Sequence, residues 1–438
     1  MNVGDLVDAG FAEIKTGPFG TQLRASDYVS VGRPVLNVRN VGFGDVRPRD
    51  LEYVGEETAQ RLSTHLLKVN DIVFGRKGAV ERHAFIRDEF DGAMQGSDCI
   101  RLRVSDCSPM PARFITFVLR TKQHQSWMHS FCSHGATMAS LNQDIVRQIP
   151  LPEIDASYQE FAVAVLQNID DLIENNRRRA EVLEEMARAI YREWFVKFRY
   201  PGHEDVPLVD STLGPIPEGW TVGTIQSVAS GDRYSTTSGP FGSKLGRKDY
   251  QADGVPVIRG ANLRVGGGFD ETDFVFVSEV KAAELRSAMA MQGDILVTQR
   301  GTLGQVGRIP RGARFDRYVL SQSQMKLTVD EERAAPYFIY AQLCSERAIQ
   351  RFIAQAMTAG VPHVNLRLLR EFSIILPPRR LQYLYSDSAL PLADLAVSLE
   401  RENQRLAVIR DLLLPKLVSG RIDVSALDLD ALVGDRVA

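Results

Sequence analysis

Cysteine is scarce in this chain. Four residues among 438 (Cys99, Cys107, Cys132 and Cys344) include no Cys-x-x-Cys pair, too few to staple a protein of this size, so they are expected to be reduced and structural. Long apolar runs are missing as well. No stretch reaches the roughly eighteen unbroken apolar residues of a membrane span, and Met1-Asn2-Val3-Gly4-Asp5 lacks the basic and apolar regions of a secretion signal. A cytoplasmic protein that does not engage a membrane is the expectation. Nor does one sign of charge dominate: 52 Lys and Arg stand against 55 Asp and Glu, a net charge of −3. Any nucleic-acid site must therefore come from local clustering, because phosphate contacts need only a handful of basic side chains on one face.

Catalytic apparatus is absent too. The only Pro-Pro, Pro377-Pro378, sits in Leu-Pro-Pro-Arg and not in the (Asp/Asn)-Pro-Pro-aromatic motif of an amino-methyltransferase, and no glycine is followed at Walker spacing by Gly-Lys-Ser/Thr. Asp273 with Glu279-Val280-Lys281 imitates a metal-dependent nuclease, and His129, Cys132 and His134 imitate metal ligands. Neither set recurs where the rest of the chain repeats itself, and the second lacks a fourth ligand. No catalytic residue and no metal or cofactor bound by this chain is expected.

What the chain does contain, it contains twice. Thr16-Gly17-Pro18-Phe19-Gly20, followed by Asp27-Tyr28, Pro34-Val35 and Asn40, returns as Ser238-Gly239-Pro240-Phe241-Gly242 with Asp249-Tyr250, Pro256-Val257 and Asn262. Asp71-Ile72-Val73 and Gly78 return as Asp294-Ile295-Leu296 and Gly301. The period is far longer than that of a solenoid repeat, so each copy should fold as a globular domain with its own core. Short apolar runs such as Pro34–Val38, Asp71–Gly75 and Cys99–Val104, bounded by turn residues, predict strands. Ala112–Leu119 and Ala335–Ala341 predict helices. Both copies are mixed α and β domains.

Each copy closes on a proline-containing run, Ile149-Pro150-Leu151-Pro152 or Ile374-Ile375-Leu376-Pro377-Pro378, and the period then changes. Ile169, Leu172, Leu183, Met186 and Ile190 fall on heptad a and d positions, and so do Leu392, Leu395, Leu406, Ile409 and Leu413, 223 positions on. Long helices over about 157–198 and 381–418 are expected, packing as an antiparallel pair through Ile169, Leu172, Leu183, Met186, Leu395, Leu406, Ile409 and Leu413. Asn176 and Arg179 are polar at seam positions where the second helix has Leu399 and Glu402. The expected fold is α+β: two mixed α/β domains separated by a pair of long antiparallel helices. Its parts are a first domain (1–153), a first helix (154–200), a Pro- and Gly-rich linker with the second domain (201–379), a second helix (380–420) and a tail (421–438).

Glycine-bounded loops carry polar and basic side chains suited to DNA in both copies. Thr21, Gln22 and Arg24 answer to Ser243, Lys244 and Arg247; Arg39 and Asn40 to Arg259 and Asn262; Arg76 and Lys77 to Gln299 and Arg300. Arg forks onto guanine and Asn or Gln onto adenine, while Lys and Ser anchor phosphates. The frame is retained and these side chains diverge, so the two copies should read different sequences.

The ordered, duplicated strings identify a resemblance. Gly-Pro-Phe-Gly with its Asp-Tyr, Arg300-Gly301-Thr302-Leu303-Gly304, Pro217-Glu218-Gly219-Trp220, Trp194-Phe195-Val196-Lys197-Phe198 and Leu413-Leu414-Pro415-Lys416-Leu417-Val418-Ser419-Gly420 resemble the specificity subunits of type I restriction-modification systems. The first copy departs from the pattern: it has no Pro-Glu-Gly-Trp opening, and Lys77-Gly78-Ala79-Val80-Glu81 loses the second glycine. It should therefore lack an edge strand or hold this loop differently. The resemblance implies a non-catalytic subunit that binds a bipartite, asymmetric target on double-stranded DNA. It also implies two methyltransferase (modification) subunits using S-adenosylmethionine, joined in the full complex by restriction subunits that use ATP and Mg. Arg177, Arg178, Trp194 and Phe195 are the expected docking residues. A free-standing tandem-domain DNA-binding regulator is the alternative reading.

Overall fold

A computed structural model describes the chain except residues 21, 133–138, 358–363 and 423–438 and the side chain of Ser243. It divides into two compact units, Met1–Asn175 with Asn403–Ala438, and Asn176–Glu402. Each holds one globular module and a share of both long helices.

The modules repeat one topology. In the first, an antiparallel sheet runs in the order Ala12–Thr16, Cys99–Val104, Ile72–Gly75, His83–Phe85. A second sheet runs Tyr28–Val29, Glu52–Val54, Arg33–Leu36, Met94–Gln95, with only its last pair parallel. The second module matches both. Its first sheet runs Thr236–Ser238, Gln324–Leu327, Ile295–Thr298, Gln305–Arg308 and adds Arg264–Val265. Its other runs Val275–Val277, Val255–Ile258, Arg317–Leu320, Met289–Met291, and Val255–Ile258 is again parallel to its sequence-distant neighbour. The Trp220 opening continues into a strand, Thr221–Thr224, that pairs with Ser373–Leu376. In the first module the corresponding edge is a single bridge between Asn2 and Pro150. The loop that lost its second glycine also differs: Gly304 takes a φ of +86°, and Glu81 in its place does not enter the left-handed region.

Recurring residues are mostly frame. Asp27 accepts hydrogen bonds from the Arg24 backbone (2.7 Å) and Arg61, and Asp249 accepts one from the Gly246 backbone (2.8 Å), so each carboxylate caps a short 3₁₀ turn. Asp71 is buried and held by Nε and Nη2 of Arg103, each at 2.7 Å; Asp294 is buried against Lys326 at 2.8 Å.

The long helices are Ala156–Tyr191, extended by a π-helical turn at Arg192–Val196, and Arg379–Leu417. They run antiparallel. In the first unit Phe161, Ala162 and Leu166 share a core with Leu414, Leu417 and Val418, and Asn403 Nδ2 donates to the Ile173 carbonyl at 2.9 Å. In the second, Ala180 and Leu183 meet Ala396 and Leu399, while Ala187 and Tyr191 share a core with Tyr385 and Ala389.

This contact is not the heptad stripe the hydropathy pattern picks out. Leu183 lies in it, and Leu413 packs beside the first unit's core. Ile169 and Leu406 are half-buried, and Leu172, Met186, Leu395 and Ile409 are exposed. In the seam Ala180 and Ala396 meet with Leu399, and Ala162, Ala187 and Ala389 are buried in the cores the helices share with the modules. Small side chains let two helix axes approach closely, and the bulky residues then lie further round the helix. Asn176 is buried, as its heptad place implies.

Two predictions follow from this packing. Ala180→Leu and Ala396→Leu should each destabilise the protein by about 1–3 kcal/mol through overpacking, whereas Leu172→Ser should cost less than about 0.5 kcal/mol; urea denaturation measures the difference. The second concerns acid. Burial holds the imidazoles of His83 and His124 down to about 3 and about 4 from an ordinary 6.5, with His124 itself lowering His83 further. Because both must stay neutral in the folded state, their contribution is complete above pH 6.5 and is lost as pH falls below it. At pH 5 each should cost about 2 kcal/mol relative to pH 7.5. A urea-unfolding series over that range should show the first unit weakening, and a flat profile contradicts the assignment.

Candidate nucleic-acid interface

In each module the glycine-bounded loops come together at one end of the first sheet. Gly17 N donates to Cys99 O at 2.9 Å and Arg76 N to Asp98 O at 2.9 Å, so the loop after Thr16 and the loop after Gly75 lie on either side of the turn at Gly96–Asp98. The second module repeats this: Gly239 N donates to Gln324 O at 2.9 Å and Gln299 N to Ser323 O at 2.8 Å. Gln322 stitches the cluster, its Nε2 donating to Gly242 O at 2.6 Å and Leu245 O at 3.2 Å.

The candidate side chains divide by what already occupies them. Asn40 and Asn262 are fully buried. Asn40 takes the Asn37 N–H (3.1 Å) and gives its own to the Arg47 and Arg49 carbonyls (3.0 and 2.9 Å); Asn262 does the same with Arg259 N (2.9 Å), Asp270 O (3.2 Å) and Thr272 O (2.8 Å). They recur because they hold a loop, and they are not available to a base. Gln299 is buried as well, donating to the Gln322 carbonyl. Arg39 is paired with Glu52 at 3.0 Å and Arg259 with Asp273 at 3.1 Å. Gln22, Arg24, Lys77, Lys244, Arg247 and Arg300 are exposed and Arg76 is half-buried, and Gln22 Oε1 accepts the Phe19 N–H at 3.2 Å. Lys77 lies 3.3 Å from Asp98. Thr21 and the side chain of Ser243 lie outside the described residues.

Sequence reasoning missed the ring beside these cations. Phe19 and Phe241, the aromatic residues of the repeated Gly-Pro-Phe-Gly, are exposed, with the guanidinium of Arg76 5.1 Å from the first ring centroid and that of Arg300 6.0 Å from the second. Their double occurrence was the available signal.

The docking residues need correction. Phe195 is buried in the second unit's core against Phe338, Tyr385 and Trp220, and Trp194 packs beside it, because the end of the first long helix completes that core. Arg177 and Arg178 are exposed, and Arg177 is bonded to Glu181. Rival catalytic constellations do not assemble: Asp273 pairs with Arg259, Glu279 with Arg317, and Lys281 with Glu284 and Asp249. Cys132 is buried, and His129 lies 3.8 Å from Glu81. His134 lies outside the described residues. Among the described residues no cluster of three His, Cys, Asp or Glu could hold a metal ion.

No protein-family model matches the chain. Curated proteins do. Over 321 residues it is 23% identical to the type I restriction enzyme MjaIX specificity subunit of Methanocaldococcus jannaschii, spanning 72% of this chain and 70% of that protein. Over 418 residues it is 20% identical to the type I restriction enzyme HindI specificity subunit of Haemophilus influenzae, spanning 81% and 87%. Over most of its length the chain is similar to type I specificity subunits. The crystal structure of the S subunit of a type I restriction-modification system from M. genitalium shares the fold, with a TM-score of 0.60 at 16% identity and 95% of each chain covered. The fold of two like modules and two long helices is thus shared with that subunit.

The buried amides should behave as frame. Asn262→Ala should lower stability by about 1–3 kcal/mol, because three backbone groups lose their partners. Lys244→Ala, at an exposed site, should stay within about 0.5 kcal/mol of the parent protein. Urea denaturation of both variants checks the distinction.

Proposed function

We propose that the chain is the DNA-recognition subunit of a type I restriction-modification complex, each module reading one half of a bipartite, asymmetric target and the long helices serving as the spacer. The observation that carries this reading is the pair of modules with one topology and one frame whose exposed loop side chains differ: Gln22 gives way to Lys244 and Arg24 to Gly246 under the repeat. A protein that binds one sequence has no use for two divergent readers.

The subunit is non-catalytic in this reading, and the exposed heptad stripe supplies its docking surface. Leu172 and Leu395 are repeat partners, as are Met186 and Ile409, and all four are exposed on the long helices. An apolar stripe that recurs in each copy suits two copies of one partner, which fits two modification subunits. S-adenosylmethionine would belong to those partners, and ATP and Mg to the restriction subunits of a complete assembly, acting in the cytoplasm. Among the described residues no helix is long and apolar enough to cross a membrane.

Exchange of residues 1–153 for the matching region of a related specificity subunit tests the proposal. Co-expressed with its modification subunit, the chimera should methylate a target changed in one half only, mapped by single-molecule sequencing of the host genome, and the chain alone should transfer no methyl group. A change in both halves contradicts independent readers. Methylation by the chain alone contradicts a non-catalytic subunit, and specific binding with no requirement for a partner favours a free-standing regulator.

A further inference from the structure

Within Gly-Pro-Phe-Gly, the fold accounts for every residue but one. A Cβ on Gly17 would sit 2.0 Å from the Gly96 carbonyl oxygen, and one on Gly239 would sit 1.8 Å from that of Ser321, so both must be glycine. Pro18 and Pro240 are buried. Gly20 and Gly242 take φ values of +48° and +64°, in the left-handed region that favours glycine. Phe19 and Phe241, between them, are 54% and 58% exposed and belong to neither module's core. One exposed aromatic needs no explanation. The same one in two diverged copies does.

The cation over each ring sharpens the point. Arg76 corresponds under the repeat to Gln299, and Arg300 to Lys77, so the two arginines come from adjacent rather than equivalent positions. A guanidinium nonetheless lies over the phenyl ring in both modules, at 5.1 and 6.0 Å from its centroid. The spatial arrangement has been kept while the sequence position supplying it has moved. A guanidinium held near a ring by a cation–π contact keeps its N–H donors, whose fork matches the two oxygens of a phosphate.

We propose that each Phe–Arg pair is a sequence-independent grip on the sugar-phosphate backbone of duplex DNA, the guanidinium on a phosphate and the ring against the adjoining sugar. The inference rests on reading the chain as a DNA-recognition subunit. If the modules recognise different sequences, side chains that read bases must differ between them, as Gln22 and Lys244 do, and side chains present in both contribute affinity and register.

The test uses the full chain in complex with its modification subunit, binding to a labelled duplex that carries the methylated motif and to one in which the motif is scrambled. Phe19→Ala/Phe241→Ala should weaken both by the same factor, roughly tenfold, and leave the methylated motif unchanged. Arg76→Gln/Arg300→Gln should also weaken both and should reduce the slope of log affinity against log salt by about 1.8, two phosphate contacts at about 0.9 each. A changed motif, or a loss confined to the motif duplex, would make these residues base readers and overturn the proposal. So would variants indistinguishable from a parent complex that binds DNA. A parent complex with no affinity for duplex DNA overturns the functional reading itself.

Discussion

In the first unit a largely buried carboxylate among arginines fixes the module to its helices. Asp170, on the first long helix, accepts hydrogen bonds from Arg120 at 2.6 and 3.3 Å, from Arg113 at 3.2 Å, and from Arg410 of the second long helix at 3.3 Å. Burial alone would raise its pKa, but the three guanidinium groups outweigh that and hold it below the ordinary carboxylate value. Removing one partner from such a cluster strands a buried charge, which typically costs about 3–5 kcal/mol. The second unit uses other residues for the same end: Glu271 is buried between Arg401 Nε at 2.6 Å and the Arg314 backbone at 2.8 Å, and Arg308 bonds Asp394 at 3.0 Å. Reading loops are useful only if their orientation to the helices is fixed. Apolar packing can slide, and a multidentate ion pair cannot.

That constraint explains which parts of the architecture were legible in the chain. The repeat, the strands at Ile72–Gly75 and Cys99–Val104, and both long helices announce themselves through spacing, turn residues and prolines, which act locally. The helix contact does not. Leu172, Met186, Leu395 and Ile409 belong to the heptad stripe and yet are exposed, while Ala180 and Ala396, weak in any hydropathy pattern, meet in the seam beside Leu183 and Leu399. A stripe shows that a helix has an apolar face and not which neighbour covers it. Phe195 fails in the opposite sense: at the end of a long helix it reads as surface, and only tertiary structure shows that the second core closes over it.

The candidate interface was legible as a set of loops and poorly so as side chains. Asn40 and Asn262 have the chemistry to read adenine and use all of it on their own backbones. Recurrence in a duplicated protein marks what both copies need, and both need frame. The residues that distinguish the halves are those the repeat does not preserve, so internal comparison narrows the candidate readers by subtraction.

Each core is finished by the far end of a long helix, and the two cases differ in what that asks of the chain. The second unit is continuous from Asn176 to Glu402, and Tyr191 and Phe195 precede the module whose core they join. The first unit borrows Leu414, Leu417 and Val418 from beyond the whole of the second. During synthesis the N-terminal module therefore emerges first and yet cannot be completed until the last turns of the second helix have left the ribosome. The nascent first module must wait, with that side of its core open, until the whole second unit has been made.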